Sequence, residues 1–200
     1  MKFKLAVFLS AALALLLHPQ SFVAGSIESS GAGLPTQTSQ KSKPVDSSKA
    51  QTYWILGEKY REAEDFPKAI EAYKKVIALS GDSALAGDAH HGIGWIYIQQ
   101  KEYRSAISEL QQAVRLKTED ADAFLDFGMA FLMLGQNPLA IEKFQKAISL
   151  RPHFADAYYN LGLAYDMMGD KADAMTVYRK LKPIDPKAAQ ALLDQLKAPK

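Results

Sequence analysis

The 200-residue chain contains no cysteine. That excludes disulfides, thiol nucleophiles, cysteine-ligated metals and a lipid anchor on an N-terminal cysteine. An excess of one charge is also missing. Lysine and arginine number 24 and aspartate and glutamate 22. Lys2 and Lys4 lie in the first 25 residues, so the remainder is formally balanced. No domain-wide positive field is left to attract nucleic acid or anionic lipid. No segment keeps the period-two alternation of a half-buried strand, so no sheet is expected.

Catalytic signatures are absent too. There is no GxSxG elbow and no HExxH pair. The histidines are His18, His90, His91 and His153. His90 and His91 are adjacent, and neighbours on a helix face different ways. No carboxylate at metal-ligand spacing accompanies them in sequence, so they read as solvated or groove-facing. Gly92-Ile93-Gly94 resembles a phosphate loop faintly, but it lies inside a helical stripe without a nearby lysine, and packing is the better reading. Asp120, Asp122 and Asp156 stand where helices begin and complement the helix dipole. No catalytic residue, metal site, cofactor or small-molecule substrate is expected.

The longest apolar run, Leu5 to Leu17, is interrupted only by Ser10. It is shorter than the ~20 residues of a comfortable membrane span. Lys2 and Lys4 precede it, and Val23 and Gly25 close the stretch after it. This is the layout of a secretory signal cleaved after Gly25, with an uncleaved anchor as the alternative. Export to a periplasm or to the outside is therefore expected, with membrane contact only through the signal. Residues 26–49 are rich in Ser, Thr, Gly, Pro, Gln and Lys and hold no aromatic, which predicts a disordered linker.

What the chain does have is repetition. Gly57, Gly94, Gly128 and Gly162 are spaced 37, 34 and 34 residues apart. Three residues after each comes Tyr60, Tyr97, Phe131 or Tyr165, and twelve after each comes Ala69, Ala106, Ala140 or Ala174. A fixed period near 34 residues marks a stacked array. Within the third unit, Phe124, Phe127, Phe131 and Leu134 form one helical stripe, Gly135 to Pro138 breaks it, and Ala140, Ile141, Phe144, Ala147 and Ile148 form a second. Each unit is thus two helices and a tight turn. A mid-helix glycine costs ~1 kcal/mol against alanine, so four in phase imply crowding, read here as close backbone approach between neighbouring hairpins. The 37-residue first spacing implies about three extra residues near Gly81–Ala84. After Pro186, Ala189, Leu192, Leu193 and Leu196 predict a capping helix; a partner-binding helix is the rival reading.

These columns resemble the tetratricopeptide repeat, which has an aromatic, leucine-glycine and tyrosine in the first helix, then alanine, an aromatic, a small residue and proline. Tyr158, Leu161, Gly162, Tyr165, Ala174, Tyr178 and Pro186 match best, with Leu181 in the small-residue place. The second unit has Thr118 where the proline belongs. The resemblance implies an all-α, right-handed solenoid: four repeats at about 50–83, 87–120, 121–154 and 155–186, then a capping helix and tail at 187–200. It also implies that the first helices line a concave face holding a peptide or helix. On that register the groove candidates are Trp54, Trp95, Ile98, Leu125, Met129, Leu132, Met133, Tyr159, Leu163 and Met167. Gln51, Glu58, Arg61, Asp88, His91, Asp122, Asp126, Asp156 and Asp166 stand in the same columns. The first unit is polar and the later ones apolar and Met-rich, which suits an amphipathic helix or apolar segment. Family members that capture a C-terminal carboxylate use cations where this chain has Trp54, Glu58, Trp95 and Asp126, so that mode is not expected. The function expected is a non-catalytic interaction module, a scaffold or assembly factor of the cell envelope. The alternatives are a structural subunit or homodimer using the same apolar face, and an enzyme accessory.

Overall fold

A computed structural model describes residues 46–198. The signal and nearly all of the linker expected from the sequence lie outside the described residues. The chain forms α1 (Ser47–Glu62), α2 (Phe66–Ser80), α3 (Ala84–Gln99), α4 (Tyr103–Leu116), α5 (Ala121–Met133), α6 (Asn137–Leu150), α7 (Ala155–Met167), α8 (Lys171–Leu181) and α9 (Pro186–Lys197). No strand occurs among the described residues. The result is an all-α solenoid of four hairpins and a closing helix.

Each hairpin turn is built from the same backbone bonds. The residue seven after each repeat glycine is left-handed: Glu64 (φ 56°), Lys101 (φ 62°), Gly135 (φ 72°) and Gly169 (φ 81°). Its N–H donates to the carbonyl of Arg61, Ile98, Leu132 or Asp166, and the next N–H donates to Tyr60, Tyr97, Phe131 or Tyr165. This paired closure ends the first helix. The following residue caps the second, and Asp65 and Asp170 do so with their side chains, accepting from Lys68 N–H and Asp173 N–H.

Two boundaries differ from the sequence reading. α1 starts at Ser47, with Asp46 accepting from Lys49 N–H, so the ordered array begins before residue 50. The three extra residues of the first spacing do not lengthen a loop. They extend α3, which starts at Ala84 and has 16 residues against 13 in α5 and α7.

The repeat glycines are crowded, but not by backbone from a neighbouring hairpin. A Cβ on Gly57 would lie 2.7 Å from Tyr73, on Gly94 2.6 Å from Leu110, and on Gly128 2.5 Å from Phe144. Each of those side chains comes from the second helix of the same hairpin. In the fourth unit Leu192 of α9 takes the role, 2.5 Å from a Cβ on Gly162. Gly92 lies against the other side of Tyr73, so the Gly92–Gly94 pair serves packing. Tyr73, Leu110, Phe144 and Leu192 are fully buried. One core runs from Ile98 to Leu196, and a second surrounds Tyr73. Half-buried Tyr97 packs against both.

Candidate functional site

Every hairpin packs on the next, and α5 also touches α3 on one side and α7 on the other. The odd-numbered helices therefore form an inner layer. On it the sequence columns sort by exposure. Three residues before each repeat glycine stand Trp54, His91, Leu125 and Tyr159, and one residue after stand Glu58, Trp95, Met129 and Leu163, all half-buried. Five residues after stand Met133 and Met167, which are 57% and 56% exposed.

The column four residues after the glycine corrects the sequence reading. Ile98 and Leu132 are buried and join the main core, so neither lines an open groove. Asp166, in the same column, is buried as well. Direct contact between successive odd helices closes this column. Only Arg61, at the start of the array, keeps its face in the concavity.

A hollow of about 470 Å³ opens between α1, α3 and α5. Trp54, Glu58 and Arg61 line it from α1, and Asp88, His91, Gly92 and Trp95 from α3. Lys117 and Asp120 line it from the α4–α5 loop, and Asp122, Leu125 and Asp126 from α5. The hollow thus lies at the polar end of the inner face, beside the apolar stretch. Both tryptophans of the chain are on its wall.

Its charges are interlocked. Arg61 Nη2 donates to Glu58 at 2.7 Å, and the guanidinium lies 5.2 Å from the centre of the Trp95 ring. Tyr73 donates its hydroxyl to Glu58. Burial disfavours charge on Glu58, but the bonds from Arg61 and Tyr73 outweigh it and hold its pKa below the usual range. Lys117 reaches Asp88 at 2.6 Å and Asp120 at 3.1 Å. Asp120 also caps α5, accepting from Asp122 N–H and Ala123 N–H. Burial raises its pKa, yet these partners bring it below the ordinary value. Arg151 grips Asp122 through two bonds of 3.0 and 2.5 Å.

His91 was expected to be solvated or groove-facing. It lines the hollow and is partnered, its Nε2 lying 2.8 Å from Asp126 and its Nδ1 3.9 Å from Asp120. Burial lowers its pKa, but the bond to Asp126 and the fields of Asp126, Asp120 and Asp122 reverse that and leave it raised. His90 points elsewhere and meets Glu109 of α4 at 2.7 Å. No group of His, Cys, Asp and Glu arranged to hold a metal ion occurs among the described residues. No described helix is long and apolar enough to cross a membrane.

Lys117 and Asp120 were missing from the sequence-based groove. A signal for one of them exists. Asp88 to Lys117 and Asp122 to Arg151 are both separations of 29 residues, and both form ion pairs.

Models of the tetratricopeptide repeat match residues 48–119 and 156–188, and a TPR repeat model matches 128–169. No curated protein matches the chain significantly. Among solved structures, MamA is 32% identical, with a TM-score of 0.64, over 72% of this chain and 83% of that one. YrrB, described as a TPR protein with an unusual peptide-binding site, is 26% identical with a TM-score of 0.64, over 74% of this chain and 76% of that one. The first TPR of Spaghetti (RPAP3), bound to the HSP90 peptide SRMEEVD, shares the fold at 22% identity and a TM-score of 0.60, over 64% of this chain and 99% of that one. With its repeats in register from α1 to α8 and a relative of this similarity, the chain belongs to the tetratricopeptide repeat family.

Proposed function

We propose that this protein is a non-catalytic interaction module that holds a segment of another protein on the face of its odd-numbered helices. The observation that carries the reading is the line of apolar side chains the fold does not cover. Leu125, Met129, Tyr159 and Leu163 are only half-buried, and Met133 and Met167 are more than half exposed. Flexible methionines beside aromatics adapt to a partner's apolar anchors. The solved structures of YrrB, with its unusual peptide-binding site, and of RPAP3, with its bound HSP90 peptide, support a peptide-type partner. The signal-like N-terminus supports export and a scaffold or assembly role in the cell envelope.

Met133→Glu tests this. Glutamate there would face a desolvated apolar surface and should weaken capture of a crosslinked partner strongly. Its melting temperature should barely move, because Met133 is exposed. The control is Phe131→Glu. Phe131 is 9% exposed and stacks on Phe127 at 4.9 Å, so this change should unfold the repeat. Loss of folding in Met133→Glu, or undiminished capture, would overturn the reading. A homodimer through the same face would appear instead as a mass change in size-exclusion chromatography that Met133→Glu abolishes.

A further inference from the structure

The apolar stretch on α5 and α7 ends at a hollow of opposite character. Glu58, Asp88, Asp120, Asp122 and Asp126 line it against Arg61 and Lys117. Counting Arg151, which pairs with Asp122 from outside the lining, carboxylates exceed cations by two when His91 is neutral and by one when it is protonated. The internal ion pairs do not exhaust these groups. Asp126 meets His91 through Oδ2, and Asp88 meets Lys117 through Oδ1. Each keeps a second oxygen for another donor. Low-dielectric walls such as Trp54, Trp95 and Leu125 focus the resulting negative potential into the hollow.

An independent observation shows what the walls accept. The protein's own Arg61 holds its guanidinium over the Trp95 ring while bonding the Glu58 carboxylate. An indole face and a carboxylate together are the chemistry of cation recognition. With Arg61 itself part of the wall, the hollow still leaves about 470 Å³, of the size that seats a ligand.

We propose that the hollow seats an arginine or lysine side chain of a partner peptide, whose apolar neighbours then run over Leu125, Met129 and Met133. The inference rests on the groove reading above and adds the partner's charge. An acidic segment or a free C-terminal carboxylate would meet the excess of like charge and be rejected.

Two blocked peptides provide the test: acetyl-SGRLRGS-amide and acetyl-SGELEGS-amide, with acetyl-SGLLLGS-amide as the apolar reference. Both tryptophans line the hollow, so intrinsic fluorescence reports occupancy directly. The arginine peptide should perturb it and bind about tenfold more tightly than the glutamate peptide, and high salt should erode the difference. Asp88→Asn with Asp126→Asn should reduce arginine-peptide binding by about tenfold. If that pair melts the protein, Asp122→Asn substitutes, since Asp122 is half exposed. Glu142→Gln, at an exposed side chain of α6, should change nothing. Equal or tighter binding of the glutamate peptide overturns the proposal. So does no fluorescence change with the arginine peptide up to about 1 mM, or binding that ignores the aspartate variants. If only SGLLLGS binds and Met133→Glu abolishes it, the cation site fails while the groove stands. If the arginine peptide binds and Met133→Glu leaves capture of the natural partner untouched, the groove reading fails instead.

Discussion

At the scale of single residues, the four hairpin turns pose the same problem and solve it unequally. Each needs one left-handed residue, which glycine adopts freely and a side-chain-bearing residue adopts at ~1–2 kcal/mol. Gly135 and Gly169 meet the need, whereas Glu64 and Lys101 carry the cost. Nothing lies within 4 Å of a Cβ at Gly135 or Gly169, so the difference is one of backbone alone. Lys101→Gly should therefore raise stability by about 0.5–1 kcal/mol in urea melts, the gain trimmed by the greater freedom of glycine in the unfolded chain. Gly135→Lys should lower it by a similar amount. No change in either would mean that the turn relaxes out of the left-handed region. The repeat glycines work oppositely, through space. Gly128→Leu should overpack Phe144 and cost ~1–3 kcal/mol or more, and Phe144→Ala in the same chain should return part of the loss. Sequence spacing reveals the crowded column because all four positions are glycine. It hides the turn column because two of its four members are Glu64 and Lys101. The atoms that crowd the glycines also escape a linear reading, since Tyr73, Leu110 and Phe144 arrive from the opposing helix.

At the scale of elements, the inner layer is tied across repeats by His91 of α3 and Asp126 of α5. Groups facing His91 are Asp120, Asp122 and Asp126, with Glu58, Arg61 and Lys117 on the same hollow. The folded pKa of His91 is raised above its ordinary ~6.5. Its contribution to stability is therefore complete below about pH 6.5 and is lost as pH rises through the elevated value. The stability difference between wild type and His91→Gln should be largest near pH 6 and shrink toward pH 8. A difference that grows with pH would reverse the assignment. Such a tie explains where the site was legible. Trp54, His91 and Leu125, three before a glycine, and Glu58 and Trp95, one after, line the hollow, as their helical phase implies. In the column four after, Ile98 and Leu132 do not, because they are covered once α3 and α5, or α5 and α7, come into contact. Helical phase gives a direction, and only the neighbouring helix decides whether that direction is open. Lys117 escaped for a related reason. It sits beyond α4, and its link to Asp88 shows only when 29-residue separations are compared between units.

At the scale of the whole array, stability is a chain of nearest-neighbour interfaces, so the ends carry a burden the middle does not. α9 carries it at the C-terminal end. Asp185 caps this helix through Lys187 N–H and Ala188 N–H, and Pro186 opens its first turn. Ala189, Leu192 and Leu196 are then buried against α7 and α8. Leu192 has a second task, since it fills the space beside Gly162 that a second-helix side chain fills in the other units. The fourth hairpin is thus incomplete without α9, in a way the first three are not without their successors. Leu192→Ala should cost ~2–5 kcal/mol, the range of a buried leucine truncation. The loss should also be local. Amide exchange should quicken across α7 and α8, whose interfaces meet α9, and stay near wild-type values in α1 and α2, whose core around Tyr73 shares no residue with it. A uniform quickening from α1 to α9 would show a single cooperative core in place of an array. Unchanged exchange in α7 and α8 would show that α9 is an appendage, free to serve as a partner-binding helix.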